Sequence, residues 1–381
     1  MLDQLQTFIA PKLRSVLKVL SIGPFHKKRI VFFSYFGAQY SCNPKYISEY
    51  MQAHYPEYDI VWAFNNPEQF RYLHKKNIKL VKYLSLPFLR TCLTSKYIIT
   101  NSEIPSWFPV MKRQVYINTW HGGGAYKKVG ASYNKETAGK QTRAALARRI
   151  PCTYISSSKA FSDLTIRQSF QHTGKILSCG MPRNDILVNQ DHPELIQKIR
   201  TFYHLPEDSH ILLYAPTYRA SKAASDYAFD FRQVKTALED RFGGSWFFLL
   251  RMHYFVLNQL GKSSEYIDAS QYPDMQELLY ASDILVTDYS SSMWDFALTN
   301  KPCFLYASDL DHYDLKRGFY SDIHSWPFPL AESGSELIQN IHSFNEETYL
   351  KDVRKHFTDL GSYETGHACE KTARYIVSGK L

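Results

Sequence analysis

Short apolar runs alternate with helical stretches along this chain, and they do so twice over. RIVFFSY (29–35), YDIVWAF (58–64), IKLVKY (78–83), KYIITNS (96–102) and QVYINTWHG (114–122) are β-branched and aromatic runs of strand length. NPKYISEYMQAHY (43–55) and LPFLRTCLTS (86–95) between them have helical spacing. After a polar stretch, NQDHPELIQKIRTFYHLPEDS (189–209), the alternation restarts. HILLYAPTYR, WFFLLRMH, EYIDAS, DILVTDYSSS and KPCFLYAS read as strands, with helices near 230–241, at 274–281 and from about 292. Strands separated by helices require parallel pairing with helices covering both faces of the sheet. The expectation is therefore an α/β chain of two Rossmann-like, doubly wound domains facing a central cleft.

At 381 residues the chain has length for two such cores. The division expected is a basic amphipathic helix at 1–27, an α/β domain at 28–195, and a second α/β domain at 205–381 that ends in helices. Hydrophobic residues at 44% and charged residues at 21% are ordinary for a globular protein, and the 28 Tyr and 24 Phe read as core filling. The six cysteines are far apart with no CxxC, which argues against a zinc site or a disulfide framework and fits a reducing compartment. No run of about 18 apolar residues exists, so no transmembrane helix is expected. Leu2, Leu5, Ile9, Leu13, Val16, Leu17 and Leu20 recur at helical spacing among Lys12, Arg14 and Lys18. That pattern suits a helix lying on an anionic membrane, and equally one packed on the domain behind it. The net charge of +9 points to polyanionic partners. A nucleic acid is not expected, because no helix carries a dense basic face and no RNA-binding aromatic motif is present.

Ligands of doubly wound sheets bind outside the carboxyl ends of the strands, and the polar motifs sit there. The fifth strand runs into His121-Gly122-Gly123-Gly124. Glycines let the backbone approach a ligand, and their N–H groups favour an anion. A histidine beside them, with its ordinary pKa of about 6.5, suits proton transfer. A plain tight turn fits the same letters. GMPRNDIL (180–187) sets Arg183 at a turn, either as a phosphate clamp or as a surface partner of Asp185. Pro216, Thr217 and Arg219 end one strand, and Arg251 and His253 end the next. Asp288 and three serines, Ser290, Ser291 and Ser292, precede a helix that carries Asp295. Serines there cap a helix or donate to a phosphate. Asp309 and Asp311 have a DxD spacing that also arises by chance, and Arg317 in the loop beyond is the better anion ligand. Taken together the cations and donors suit a pyrophosphate, with neither a P-loop nor a GxGxxG fingerprint, and with no metal or cofactor required.

In this order the motifs resemble the CDP-glycerol glycerophosphotransferases of teichoic acid and capsule synthesis. The matching blocks are TNSEIP, INTWHGGGAYKKVG, GMPRNDIL, LLYAPTYR, FLLRMH, DMQELLYASDILVTDYSSSMWDFA, and Tyr313, Arg317-Gly318 and Asp322. The resemblance implies a GT-B-like fold and transfer of glycerol phosphate, or a related alditol phosphate, from a CDP donor. The acceptor would be a hydroxyl of a lipid-linked saccharide or glycerol phosphate, CMP would leave, and the site of action would be the cytoplasmic face of the membrane, peripherally bound. It implies His121 as general base, His253 of the RxH pair as a second catalytic residue, and Arg183, Pro216, Thr217, Arg251, Ser290, Ser291 and Asp295 on the CDP donor, joined by Gly122, Gly123, Arg219 and Arg317 from the residue pattern. The chain departs from the family where HGTPLKK is usual and here reads His121-Gly-Gly-Gly-Ala-Tyr-Lys, and where Tyr254 replaces a proline. Larger members carry an extra domain, so a single addition is expected over long-chain polymerisation. The alternatives are a GT-B nucleotide-sugar transferase of cell-surface polysaccharide synthesis and a non-enzymatic binding module.

Overall fold

The computed structural model describes residues 12–133, 150–217, 229–252 and 264–380. The chain divides into two units. Unit 1 comprises Met1–His121, Lys128–Asp185 and Tyr363–Leu381, and unit 2 comprises Gly122–Lys127 and Ile186–Ser362.

Unit 1 is built on a seven-stranded, all-parallel sheet of β1 (His26–Phe33), β2 (Asp59–Phe64), β3 (Lys79–Lys82), β4 (Ser95–Thr100), β5 (Val115–Asn118), β6 (Thr153–Ser156) and β7 (Ile176–Ser178). The strand order is β3-β2-β1-β4-β5-β6-β7, so the winding reverses between β1 and β4. Strands covered on both faces must be apolar throughout, and Ile30 to Phe33 and Ile60 to Phe64 are buried without alternation. Each such side chain contributes about 1.5–3 kcal/mol on leaving water. The aromatic richness is used here as expected of a filled core: Phe32, Trp62, Phe64 and Phe70 stack in a row at 3.8–5.6 Å.

Unit 2 has a six-stranded parallel sheet of β8 (Ser209–Tyr214), β9 (Ser245–Leu250), β10 (Ile267–Asp268), β11 (Ile284–Thr287), β12 (Cys303–Tyr306) and β13 (Leu330–Ala331). Its order is β10-β9-β8-β11-β12-β13, with the reversal between β8 and β11. Two of its helices start on capping aspartates: Asp230 accepts from Arg232 N and Gln233 N, and Asp274 from Gln276 N.

Three expectations change. The polar stretch at 189–209 contains a helix, Pro193–Tyr203, with Pro193 in its first turn, Ile199 fully buried and Lys198 paired to Glu277 at 2.6 Å. Proline is tolerated there because the first-turn N–H has no helical partner anyway. The second domain does not run to the end of the chain, because Tyr363–Leu381 belong to unit 1. Long-range polar contacts cause this: the Asp185 carboxylate accepts from Ala368 N at 2.8 Å and Cys369 N at 2.7 Å, and Glu364 accepts from Met181 N and Asn184 Nδ2. Finally, the described part of the N-terminal segment is helical at 12–17 and continues as a 3-10 turn, Lys18–Ser21. Leu17 and Leu20 pack on the unit 1 core, while Val16, Val19 and Ile22 remain 61–72% exposed. Among the described residues no helix is long and apolar enough to cross a membrane.

Candidate active site

In unit 1 the polar residues gather at the carboxyl ends of β1, β4, β5 and β7. Trp120 follows β5 with a left-handed backbone (φ 52°), and its ring stacks on His121 at 4.4 Å. That conformation is costly for a bulky residue and is held by its surroundings. Trp120 N donates to Asn118 Oδ1 at 2.9 Å, and Trp120 O accepts from Asn43 Nδ2 at 3.2 Å. His121 itself is exposed. Its Nδ1 lies 2.8 Å from the Asn101 carbonyl oxygen. A carbonyl only accepts, so Nδ1 donates in this contact.

Arg183 is in unit 1 and 3% exposed, so it is not a surface arginine, and the Asp185 oxygens hold the last helix. Its N–H donates to Asn43 Oδ1 at 3.0 Å and its Nη1 to Cys42 Sγ at 3.5 Å. Asn43 thus ties the Arg183 turn to the His121 loop. Sequence reasoning passed over Asn43 and Asn101, since an asparagine beside a strand or a proline reads first as a turn residue.

Unit 2 collects most of the other candidates at the carboxyl ends of β8, β9 and β11. Thr217 N donates to both oxygens of the fully buried Asp288 (2.9 and 3.0 Å), and Thr287 Oγ1 donates to Ala215 O. This pins the Pro216-Thr217 turn against the loop that carries Ser290 and Ser291. Both serines are half-buried, Ser290 Oγ accepts from Ser292 N, and Ser291 makes no side-chain cap bond. Arg251 N donates to Tyr214 O, and its Nη1 to Tyr272 O at 2.6 Å. Asp295 is buried and accepts from Gln276 Nε2. Arg317 closes the helix Leu310–Lys316, and Asp309 Oδ1 accepts from Tyr289 Oη. Arg219 and His253, with Tyr254, lie outside the described residues.

The glycines do something other than open a helix. No helix starts at them directly; Lys127 instead bridges Phe319, and Tyr126 O accepts from Tyr320 N. Gly123 and Gly124 are buried on the Trp294 ring, where a Cβ at Gly123 would sit 2.7 Å from Trp294 Cδ1. Gly124 has φ +75° as well. Tyr126 Oη and His356 Nε2 are 2.9 Å apart, and burial pushes the His356 pKa down to about 4. Here the tight-turn reading of these letters describes Gly123 and Gly124 well, and Gly122 is the half-buried one.

Two doubly wound parallel units, each with its polar loops at the carboxyl edge, define the GT-B-like fold class. The sequence model of the CDP-glycerol:poly(glycerophosphate) glycerophosphotransferases matches residues 15–378, and the chain belongs to that family. It is 32% identical over 376 residues to the teichoic acid poly(glycerol phosphate) polymerase of Bacillus subtilis strain 168, covering 95% of this chain and 50% of that protein. The chain therefore spans half the length of that relative. It is 30% identical to the polymerase of the same name from Bacillus spizizenii strain W23, over 95% of both. Among solved structures, one of the wall teichoic acid polymerase TagF matches with a TM-score of 0.81 and 29% identity over 99% of this chain and 97% of that one.

Proposed function

We propose that the protein transfers glycerol phosphate, or a related alditol phosphate, from a CDP donor to a hydroxyl of a membrane-linked acceptor. The single observation that carries this is His121, an exposed ring at the end of β5 whose Nδ1 is held 2.8 Å from the Asn101 carbonyl oxygen. The acceptor hydroxyl gives its proton to Nε2 as its oxygen attacks the β-phosphorus. The new P–O bond forms, the bond to the CMP oxygen breaks, and CMP leaves with the electron pair. Ser290, Ser291, Thr217, Arg251 and Arg317, at the loops of one unit, supply donors and positive charge for the diphosphate. Arg183 acts from unit 1, through Asn43, on the placement of the His121 loop. The half-length match to one polymerase and the full-length match to another leave chain length silent on single addition against polymerisation.

The acceptor belongs at an anionic membrane surface, and the exposed Val16, Val19 and Ile22 beside Lys12 and Lys18 support a peripheral contact there. The test is nucleotide release from a panel of donors with a lipid-linked acceptor. CMP from CDP-glycerol is expected, and His121→Ala should lower kcat by about 10²–10⁴-fold with little change in donor affinity. Release of UDP or GDP from a sugar donor instead would move the chain to the nucleotide-sugar transferases.

A further inference from the structure

Asn101 has a second job that its backbone carbonyl does not exhaust. The residue is fully buried at the end of β4. Its Oδ1 accepts from Tyr35 N at 2.8 Å. Turning the amide over would set two donors face to face, so the Tyr35 N–H fixes the orientation and commits the Nδ2 group to the opposite side. Among the described residues that Nδ2 has no hydrogen-bond partner. A buried donor left unmade is expensive and rare, and calls for a reason.

Its surroundings supply one. The winding of the unit 1 sheet reverses between β1 and β4, the position where doubly wound sheets take their ligands. Asn101 follows β4, and the facing loop after β1 holds two consecutive left-handed residues, Tyr35 (φ 45°) and Phe36 (φ 57°). Neither is glycine, and such strain is kept where function sets the backbone. Phe36 stands 53% exposed with its N–H toward Ser102 Oγ at 3.4 Å, and the Tyr35 ring lies 5.6 Å from that of His121. One residue thus holds the base through its main chain and offers an unmatched donor at the sheet's reversal point.

We infer that Asn101 is an acceptor-binding residue: its Nδ2 donates to an oxygen of the acceptor next to the hydroxyl that His121 deprotonates. The ligand class is a polyol phosphate end, which carries oxygens on adjacent carbons. The inference rests on the reading of His121 as base and extends it to what chooses and holds the attacking hydroxyl. No bond is made or broken by Asn101. Its part is to fix the nucleophile's neighbour, so that the proton on the attacking oxygen faces Nε2.

The experiment compares wild type, Asn101→Ala and Asn101→Asp. Aspartate keeps an oxygen for the Tyr35 N–H, which guards against a variant that fails through the loop, and alanine removes the donor without adding a charge. Calorimetric titrations use sn-glycerol 3-phosphate as the acceptor probe and CDP-glycerol as the donor, beside CMP release at varied acceptor. Glycerol 3-phosphate affinity should weaken, and acceptor KM rise, on the order of tenfold in both variants, with CDP-glycerol affinity unchanged. Unchanged acceptor affinity and KM in a variant that binds donor normally would overturn the inference. So would parallel losses of donor, acceptor and melting temperature, which mark a purely structural residue, and so would a wild type that does not bind glycerol 3-phosphate. If the wild type binds that probe through Asn101 yet releases no CMP, the proposed reaction falls and the binding site stands.

Discussion

At the scale of single residues, the site is a set of side chains whose packing leaves little latitude. Gly123 is the clearest case, because Trp294 is fully buried and cannot yield to a new methyl group. Gly123→Ala is expected to cost about 1–3 kcal/mol by overpacking, read as a lower melting temperature. Trp294→Phe in the same chain should recover part of that loss, and a double-mutant cycle would expose the coupling. Equal stability of Gly123→Ala and wild type would show that the loop has room that the geometry denies it. His121 was legible in the sequence because a histidine among glycines after a strand is a local pattern. Asn101 and Asn43 were not, because what distinguishes them is a partner 20 or more residues away: the imidazole of His121 for one, the Trp120 carbonyl and the Arg183 N–H for the other.

Among the elements, the strands with long apolar runs could be read directly. β1 to β5 and β8 to β12 overlap the runs expected, most of them because burial on both faces writes a continuous apolar signal. β6 (TYIS), β7 (ILS) and β13 (LA) were not foreseen, because each offers at most two apolar residues in a row. The helix Ala368–Ser378 was foreseen as helix but placed with the wrong unit. Its attachment is carried by Asp185, which caps it with two backbone hydrogen bonds, by Tyr97 Oη donating to Ile376 O, and by Cys179 Sγ near Thr372 Oγ1. None of these leaves a local mark in the sequence. Burial raises the Asp185 pKa, and the two N–H groups work against that shift. Removal of the cap by Asp185→Ala is expected to cost about 0.5–2 kcal/mol and to speed amide exchange across 368–378 before the rest of unit 1. Uniform exchange rates in the variant would assign the helix's hold to packing alone.

For the whole molecule, the charge of +9 and the N-terminal segment bear on where the protein works. Leu17 and Leu20 anchor that segment to unit 1, and Arg14 Nε donates to Ser106 O, so Val16, Val19 and Ile22 are presented outward on a braced support. Ile22→Asp combined with Val19→Asp should weaken binding to vesicles of anionic phospholipid and leave CMP release with a soluble acceptor intact. Sedimentation with such vesicles measures the first. Undiminished binding would shift the membrane contact to other basic surface. The interleaving of the two units bears on something else, the order of events at the ribosome. Chains ordinarily complete their first-made domain first. Here all of unit 2 has been synthesised by Ser362, while unit 1, begun earlier, still lacks the segment that carries Glu364 and the helix Ala368–Ser378. The first unit to start is the last to close, and the nascent protein must hold the Asp185 carboxylate, the Met181 N–H and the Asn184 amide without their partners from that segment until it arrives.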